Sequence, residues 1–140
     1  SNTKLTLNMK QKLVIILSYF ITIISFGQTN FEMKLEASEI YKNADNDLNE
    51  VYQKIIEEYS HDTIFIEALR KAQRNWIKFR DSEINMKYPE RAKNWYGSFH
   101  RTCVLYDLTE ITKKRTEKLN LWLIGIPEGD MCSGSIKITN

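Results

Sequence analysis

Few residues in this 140-residue chain are of types that commonly do chemistry, and their spacing forms no catalytic or metal-binding set. The two histidines, His61 and His100, have no second ligand at the short spacing of a metal site. The chain has no Cys-x-x-Cys, no glycine-rich phosphate loop and no nucleophile-elbow serine. We therefore predict no catalytic residue, no metal ligand and no cofactor, and a protein that acts by binding.

The first 27 residues have the layout of a signal peptide. Lys10 and Lys12 precede an apolar run at residues 13–26, and the small residues Ser25 and Gly27 lie where a peptidase would cleave. The run is shorter than the roughly 20 residues that a membrane span requires. We interpret residues 1–27 as upstream residues and a cleaved signal peptide, which predicts export to the periplasm or the medium. The alternative is an uncleaved anchor.

The remaining part, residues 28–140, carries 17 basic and 18 acidic residues, so its net charge is −1 rather than the +2 of the whole chain. This balance does not produce the strong field that nucleic acid or an anionic membrane surface would attract. The length fits a single domain. We predict one domain that binds no nucleic acid and has no membrane span after cleavage.

The pattern of apolar residues predicts an all-α fold. Apolar residues recur at spacings of three and four over about 32–59, 62–88 and 99–123, and glycine and proline are scarce. From about residue 125 the chain is short of apolar residues and reads as an extended tail. We predict an antiparallel bundle of three long helices with a short C-terminal tail.

The two cysteines, Cys103 and Cys132, would lie in the third helix and in the tail. An even pair in a small exported domain is typical of one disulfide. Such a bridge would close a loop of about 30 residues and stabilise the fold by about 3 kcal/mol in the chain-entropy model. The alternative is two unreactive thiols.

Several polar residues interrupt the apolar stripes, among them Asp47, Gln73, Arg80 and Arg115. A buried charge is costly unless it is paired and hydrogen-bonded. We expect Asp47 or Asp81 to pair with Arg80 or Arg115 across the bundle and to fix the register of the helices. The alternative is a polar patch exposed at a groove.

Two surfaces are candidates for binding a partner. Between the second and third helices lies an aromatic loop, formed by Trp95, Tyr96 and Phe99. Loop aromatics often anchor a partner, although they can also cap one end of the core. The second candidate is the outer face of the first helix, whose acids include Glu36, Glu39 and Glu50. It would suit a basic partner, although such charges are often simply solvated.

Part of this pattern resembles a known family. Asp-Leu-Asn at 47–49 is followed by Tyr52, by Ala-Gln-x-x-Trp-x-x-x-Arg-Asp at 72–81 and by Thr-x-x-Arg-x-x-x-Leu at 112–119. The arrangement is similar to the N-terminal domain family of LprI-type lysozyme inhibitors and covers about residues 37–119. The matching positions are Asp47, Leu48, Asn49, Tyr52, Gln73, Trp76, Arg80, Asp81 and Arg115.

The resemblance implies a helical, exported, disulfide-bearing domain that inhibits lysozyme. The family carries a cysteine shortly after Arg-Asp, where this chain has Ser82, so Cys132 would take the place of the usual partner of Cys103. Trp76 and Tyr52 should lie in the core, because they fall on apolar stripes. The motif therefore marks the fold more than a binding site. The hypotheses are a lysozyme inhibitor and, as the alternative, a structural or interaction module of the cell envelope.

Overall fold

A computed structural model describes residues 8–139, with the backbone alone at residues 19–28. The elements are α1 Met9–Glu58, α2 Thr63–Lys87, α3 His100–Ile124, β1 Ile126–Pro127 and β2 Ile138–Thr139. The described part of the chain is thus mostly helical with almost no strand, as the apolar spacing predicted. The predicted upstream residues 1–7 lie outside the described residues.

Helix α1 begins at Met9 rather than near Glu32, where the sequence analysis placed its start. The apolar run at 13–26 contains no proline, and a single glycine at residue 27 costs a helix only about 1 kcal/mol. The helix therefore continues from the apolar run into the amphipathic part without a break. Among residues whose side chains the structure describes, no helix is long and apolar enough to cross a membrane.

The ends of α2 and α3 lie within one or two residues of their predicted positions. The Asp62 carboxylate caps α2 by accepting a hydrogen bond from the Phe65 backbone N–H at 2.9 Å. Helix α2 ends at Lys87, just before Tyr88 and Pro89, because proline disfavours a helical conformation in the residue before it.

Hydrogen bonds between the helices fix their directions. Tyr59, just after α1, donates its hydroxyl to the backbone oxygen of Trp122, near the end of α3, at 2.9 Å. The midpoint of α2 meets α3 where Arg115 Nε donates to Gln73 Oε1 at 3.1 Å. Lys87, at the end of α2, bonds Asp107 in the first half of α3, so α2 and α3 run in opposite directions. Lys34 of α1 lines a groove with His100 at the start of α3, so α1 and α3 run in the same direction. The interface between α1 and α3 is the most extensive of the fold.

The core lies between these helices, nearer the end where α1 and α3 finish. Its fully buried cluster consists of Leu48, Ile55, Leu69 and Leu119, and half-buried aromatics surround it: Tyr52, Tyr59, Phe65, Trp76 and Trp122. Towards the other end the buried positions are small, at Ala37, Ala44, Thr102 and Thr109. Small side chains let two helices approach closely, because the distance between helix axes depends on the contacting residues.

The C-terminal tail folds back against the end of α3. Strands β1 and β2 pair in parallel, with Ile126 opposite Ile138. Gly125 turns the chain at φ 82°, and an added Cβ there would lie 2.5 Å from Thr139 Cγ2. Lys137 Nζ bonds Glu58 at 2.7 Å. The tail predicted to be extended is therefore a docked segment with one short strand pair.

The docked tail explains why the predicted disulfide is not formed. Cys103 and Cys132 are both free thiols. Cys103 lies in the first turns of α3, whereas Cys132 belongs to the tail at the other end of that helix. The 21 residues from Cys103 to Ile124 rise about 32 Å, far more than the roughly 6 Å that separates bridged Cα atoms. The bridge would therefore require the tail to leave its place.

Candidate interaction surfaces

The α2 and α3 residues of the family-like motif gather around Trp76. Trp76 is half-buried and packs against the core cluster. The guanidinium carbon of Arg80 lies 5.4 Å from the centroid of its ring, and that of Arg115 lies 5.8 Å away. Guanidinium groups at these distances attract the negative face of an indole ring. Trp76 is thus held by two cations, one from each helix.

Arg80 finds its carboxylate on its own helix. Its Nη2 lies 2.8 Å from the Oδ1 of Asp81, the next residue, and its Nη1 donates to the Tyr41 hydroxyl at 3.4 Å. The Arg80 side chain is 14% exposed and that of Asp81 54%. Burial raises the pKa of Tyr41, and the nearby Arg80 opposes that shift. The contact with Tyr41, which sequence reasoning did not anticipate, links α2 to α1.

Arg115 departs from the prediction, because no carboxylate among the described residues pairs with it. Its partner across the helices is the amide of Gln73. Burial lowers the pKa of Arg115. A neutral amide accepts the hydrogen bond without the desolvation that a second buried charge would cost. The expected ion pair of Asp47 or Asp81 across the bundle is therefore replaced by an arginine–glutamine contact.

The motif residues of α1 divide between the core and the surface. Leu48 is buried and Tyr52 packs beside it. Asp47 and Asn49 are exposed, and Asn49 Nδ2 donates to Asp45 on its own helix at 3.3 Å. Asn49 therefore bonds within its own helix and joins neither polar pair at Trp76, Gln73 with Arg115 or Arg80 with Asp81.

The aromatic loop at residues 89–98 presents a second tryptophan to solvent. Trp95 is 68% exposed, and the guanidinium carbon of Arg91 lies 5.7 Å from its ring centroid. The backbone makes two consecutive turns here, with Trp95 N–H bonded to Ala92 O and Gly97 N–H bonded to Asn94 O, both at 3.1 Å. Asn94 has φ 67°, a left-handed conformation that few residues other than glycine adopt.

Tyr96 anchors the loop to the bundle. Its hydroxyl donates to the Pro89 carbonyl at 2.7 Å, and its ring stacks on His100 with centroids 4.6 Å apart. Tyr88 packs edge-on against both rings. The neighbouring Phe99 is half-buried and occupies the N-cap position of α3. The three aromatics predicted together thus separate: Tyr96 and Phe99 pack against the fold, and Trp95 projects.

Asp107 holds the base of the loop from α3. It accepts from the Tyr88 hydroxyl at 2.8 Å and lies 2.7 Å from Lys87 Nζ. Burial raises the pKa of Tyr88, and the hydrogen bond to Asp107 raises it further. The sequence analysis missed Asp107, because it is a lone acid in a helix and its partners come from the end of another.

The acidic face of α1 is exposed to solvent at its three candidate positions. Glu36, Glu39 and Glu50 are all exposed. Glu50 is 2.6 Å from Lys54, whose hydrogen bond lowers the pKa of Glu50. Glu36 and Glu39 are next to Lys34 and Ser38, which line a groove shared with the first turns of α3. These two acids therefore lie at the end of the molecule that carries the 89–98 loop.

The exposed side chains include groups that commonly contact a partner. Among the residues whose side chains the structure describes (8–18 and 29–139), no group of three or more potential metal ligands comes together. The exposed features are a tryptophan with an adjacent arginine, and a row of carboxylates. Such groups recognise another molecule through apolar contact and charge.

Comparison with known proteins matches the part of the chain that contains these surfaces. A family model described as lysozyme inhibitor LprI matches residues 25–119. An uncharacterized protein of Rhizobium meliloti (strain 1021) is 30% identical over 102 residues, which cover 65% of this chain and 71% of that protein. No solved structure matches the chain. The matched region includes the Trp76 cluster and the 89–98 loop.

Proposed function

Since the chain belongs to the LprI lysozyme inhibitor family, we propose that it is a non-catalytic protein that binds lysozyme-type muramidases and inhibits them. The family match over residues 25–119 is the observation that carries this proposal. The inhibitor acts by covering the cleft of the enzyme, and its own side chains make or break no bond.

The site of action is outside the cytoplasm, as suits a family of exported inhibitors. The positive residues, apolar run and small residues within 1–27 supply the signal peptide, and cleavage near Gly27 releases the protein to the periplasm or the medium. The working part is then residues 28–140, with α2 antiparallel to α1 and α3 as a three-helix scaffold.

Electrostatics supports this partner. Lysozymes are commonly basic, and α1 presents the exposed carboxylates of Glu36, Glu39 and Glu50 on the face away from the core. Complementary charge accelerates encounter and orients the partners more than it adds affinity. Inhibition should therefore weaken as salt increases.

The test is an inhibition assay with residues 28–140, which retain the whole core cluster. Lysis of cell-wall substrate by lysozyme is measured against inhibitor concentration at low and physiological salt. Stoichiometric inhibition that weakens with salt supports the proposal. A helical, folded protein without inhibition at micromolar excess refutes it. Charge reversal at Glu36, Glu39 and Glu50 together tests the electrostatic part, and unchanged potency would refute that part alone.

The second candidate function is an interaction module of the cell envelope, and the uncharacterized state of the relative in Rhizobium meliloti keeps it open. A pull-down from envelope extracts distinguishes the two functions. Recovery of one specific envelope protein, together with no binding to lysozyme, favours the module.

A further inference from the structure

We infer that the tip of the 89–98 loop, Trp95 with Arg91, is the element that enters the muramidase cleft, and that Arg91 pairs there with the catalytic carboxylates. This inference rests on the proposed function. It goes further by assigning the inhibitory contact to two side chains outside the family motif and by naming the chemistry that they recognise.

The first step is the exposure of Trp95. Of the indole, phenol and phenyl side chains that the structure describes, Trp95 is the most exposed, at 68%. Burying such a ring in a partner removes a large apolar area from water at the expense of only two rotatable bonds. Tryptophan and arginine are also the residues that most often dominate the binding energy of an interface.

The second step is the rigidity of the loop. Two consecutive backbone turns, the hydrogen bond from Tyr96 to Pro89 and the ring stack on His100 all hold the backbone around Trp95. A loop that is already ordered loses little conformational freedom when it binds. The loop therefore suits a preformed cleft better than an adaptable surface.

The third step is charge. The loop carries one acid, Glu90, and two cations, Arg91 and Lys93, which form no ion pair with any described residue, whereas Arg80 beside Trp76 is neutralised by Asp81. The N–H groups of a guanidinium form paired, charge-assisted hydrogen bonds with a carboxylate. Glycoside hydrolases carry two such carboxylates in the cleft, flanking the bond that they cleave. An apolar ring with an unpaired cation matches a sugar-binding cleft that has acids at its centre.

The fourth step is location. The carboxylates of Glu36 and Glu39 lie at the same end of the molecule as the loop, because their neighbours Lys34 and Ser38 share a groove with His100 and Arg101. A basic tip flanked by acids complements an enzyme with an acidic cleft and a basic surface around it. Glu50 is about 17–21 Å farther along α1 at 1.5 Å per residue.

The experiment compares two tip variants with two matched controls in the inhibition assay. The tip variants are Trp95→Ala and Arg91→Glu. The controls are Phe79→Ala, which removes an aromatic ring that is 56% exposed on α2, and Arg74→Glu, which makes the same charge change at an exposed position there. Each tip variant should raise the concentration for half-inhibition by about 30-fold, the size of an interface hot spot, and each control by less than about twofold.

Competition with a chitin trisaccharide, which occupies the sugar subsites, tests the location directly. Saturating saccharide should weaken inhibition by the wild type about tenfold or more, since both would occupy one cleft. If the wild type inhibits while the tip variants remain as potent, or if the saccharide has no effect, the tip assignment is overturned and the proposed function stands. A wild type that does not inhibit overturns both.

Discussion

The molecule contains two tryptophans that lie under arginines, and they have opposite surroundings. Trp76 is half-buried between α2 and α3, with Arg80 and Arg115 at its ring. Trp95 projects from a loop with Arg91 alone beside it. The contact distances are nearly the same. What differs is whether the cation is already satisfied by a neighbouring group and whether the rest of the ring is covered by protein.

This difference means that Trp76 belongs to the helical scaffold and Trp95 to the exposed surface. The side chains around Trp76 come from two helices and fix how those helices meet, as expected for a buried polar network. Trp95 and Arg91 contribute nothing to the core. The motif that identifies the family therefore describes the support, and the group available to a partner lies outside that motif.

The largest expected effect is on stability. Trp76→Ala should lower the free energy of unfolding by about 3 kcal/mol, since removing a core-packed indole leaves a cavity and two cations without their ring. Trp95→Ala should change it by less than about 0.5 kcal/mol. Urea unfolding followed by far-UV circular dichroism measures both. Equal losses in the two variants would mean that the loop is part of the core.

A smaller effect is expected from the arginines. Arg115→Ala should lower the free energy of unfolding by about 2 kcal/mol, because Gln73 loses its charged donor and Trp76 loses a cation. Arg91→Ala should leave unfolding unchanged within error. The same urea titration compares the two variants. If Arg115→Ala is as stable as the wild type, the cation at Trp76 is dispensable and the contrast between the two sites fails.

A third expectation concerns the order of the 89–98 loop. Tyr96→Phe retains the ring stack on His100 and removes only the hydrogen bond to Pro89, so it should cost about 1 kcal/mol at most. Amide hydrogen exchange at Trp95 and Gly97 should nevertheless become faster, because their turns lose an anchor. Exchange in α2 near Trp76 serves as the internal control. Acceleration at both places would indicate general destabilisation instead.

The smallest expected effect is a loss of stability in alkaline solution, to which both sites should contribute. Burial raises the pKa of Tyr41 near Trp76 and of Tyr88 below the loop. A raised folded-state pKa means that the unfolded chain loses these protons first. The contribution of these two groups to the free energy of unfolding is fully present below about pH 10, the ordinary tyrosine pKa. It is lost as the pH rises through the pKa values that the groups have in the folded state.

Absorbance at 295 nm against pH measures this titration, with Tyr41→Phe and Tyr88→Phe to assign the late steps. Each variant should remove one late-titrating phenol from the total of seven tyrosines. Titration of all seven at the ordinary pH would contradict the burial of both groups.

Sequence periodicity predicted the helices well because α2 and α3 have strong boundary signals: the Asp62 cap, Pro89 and Gly125. It failed at the start of α1, since an apolar run with the composition of a targeting segment is also a good helix former. It also could not foresee that, besides Leu119, the buried positions of α3 would be threonines such as Thr102 and Thr112. Close packing against α1 decides that, and spacing alone does not.

The sequence predicted which residues form the candidate surfaces but not how each side chain is placed. Sequence located the cluster of Trp95, Tyr96 and Phe99, but it could not say which ring projects, because that depends on the left-handed conformation at Asn94 and the contact between Tyr96 and His100. Likewise, Arg80 and Arg115 were expected to find acids across the helices. The choice of Tyr41 and Gln73 depends on a three-dimensional register that no local pattern encodes.

The docked tail carries an exposed thiol to which a probe or a surface can be coupled. Cys132 is exposed at the end of the molecule opposite Trp95, and Cys103 is half-buried. Because α3 is 25 residues long, about 37 Å of rigid rod separates the two ends. Coupling to a sensor chip through Cys132 would hold every molecule in one orientation, with the tryptophan loop pointing away from the surface.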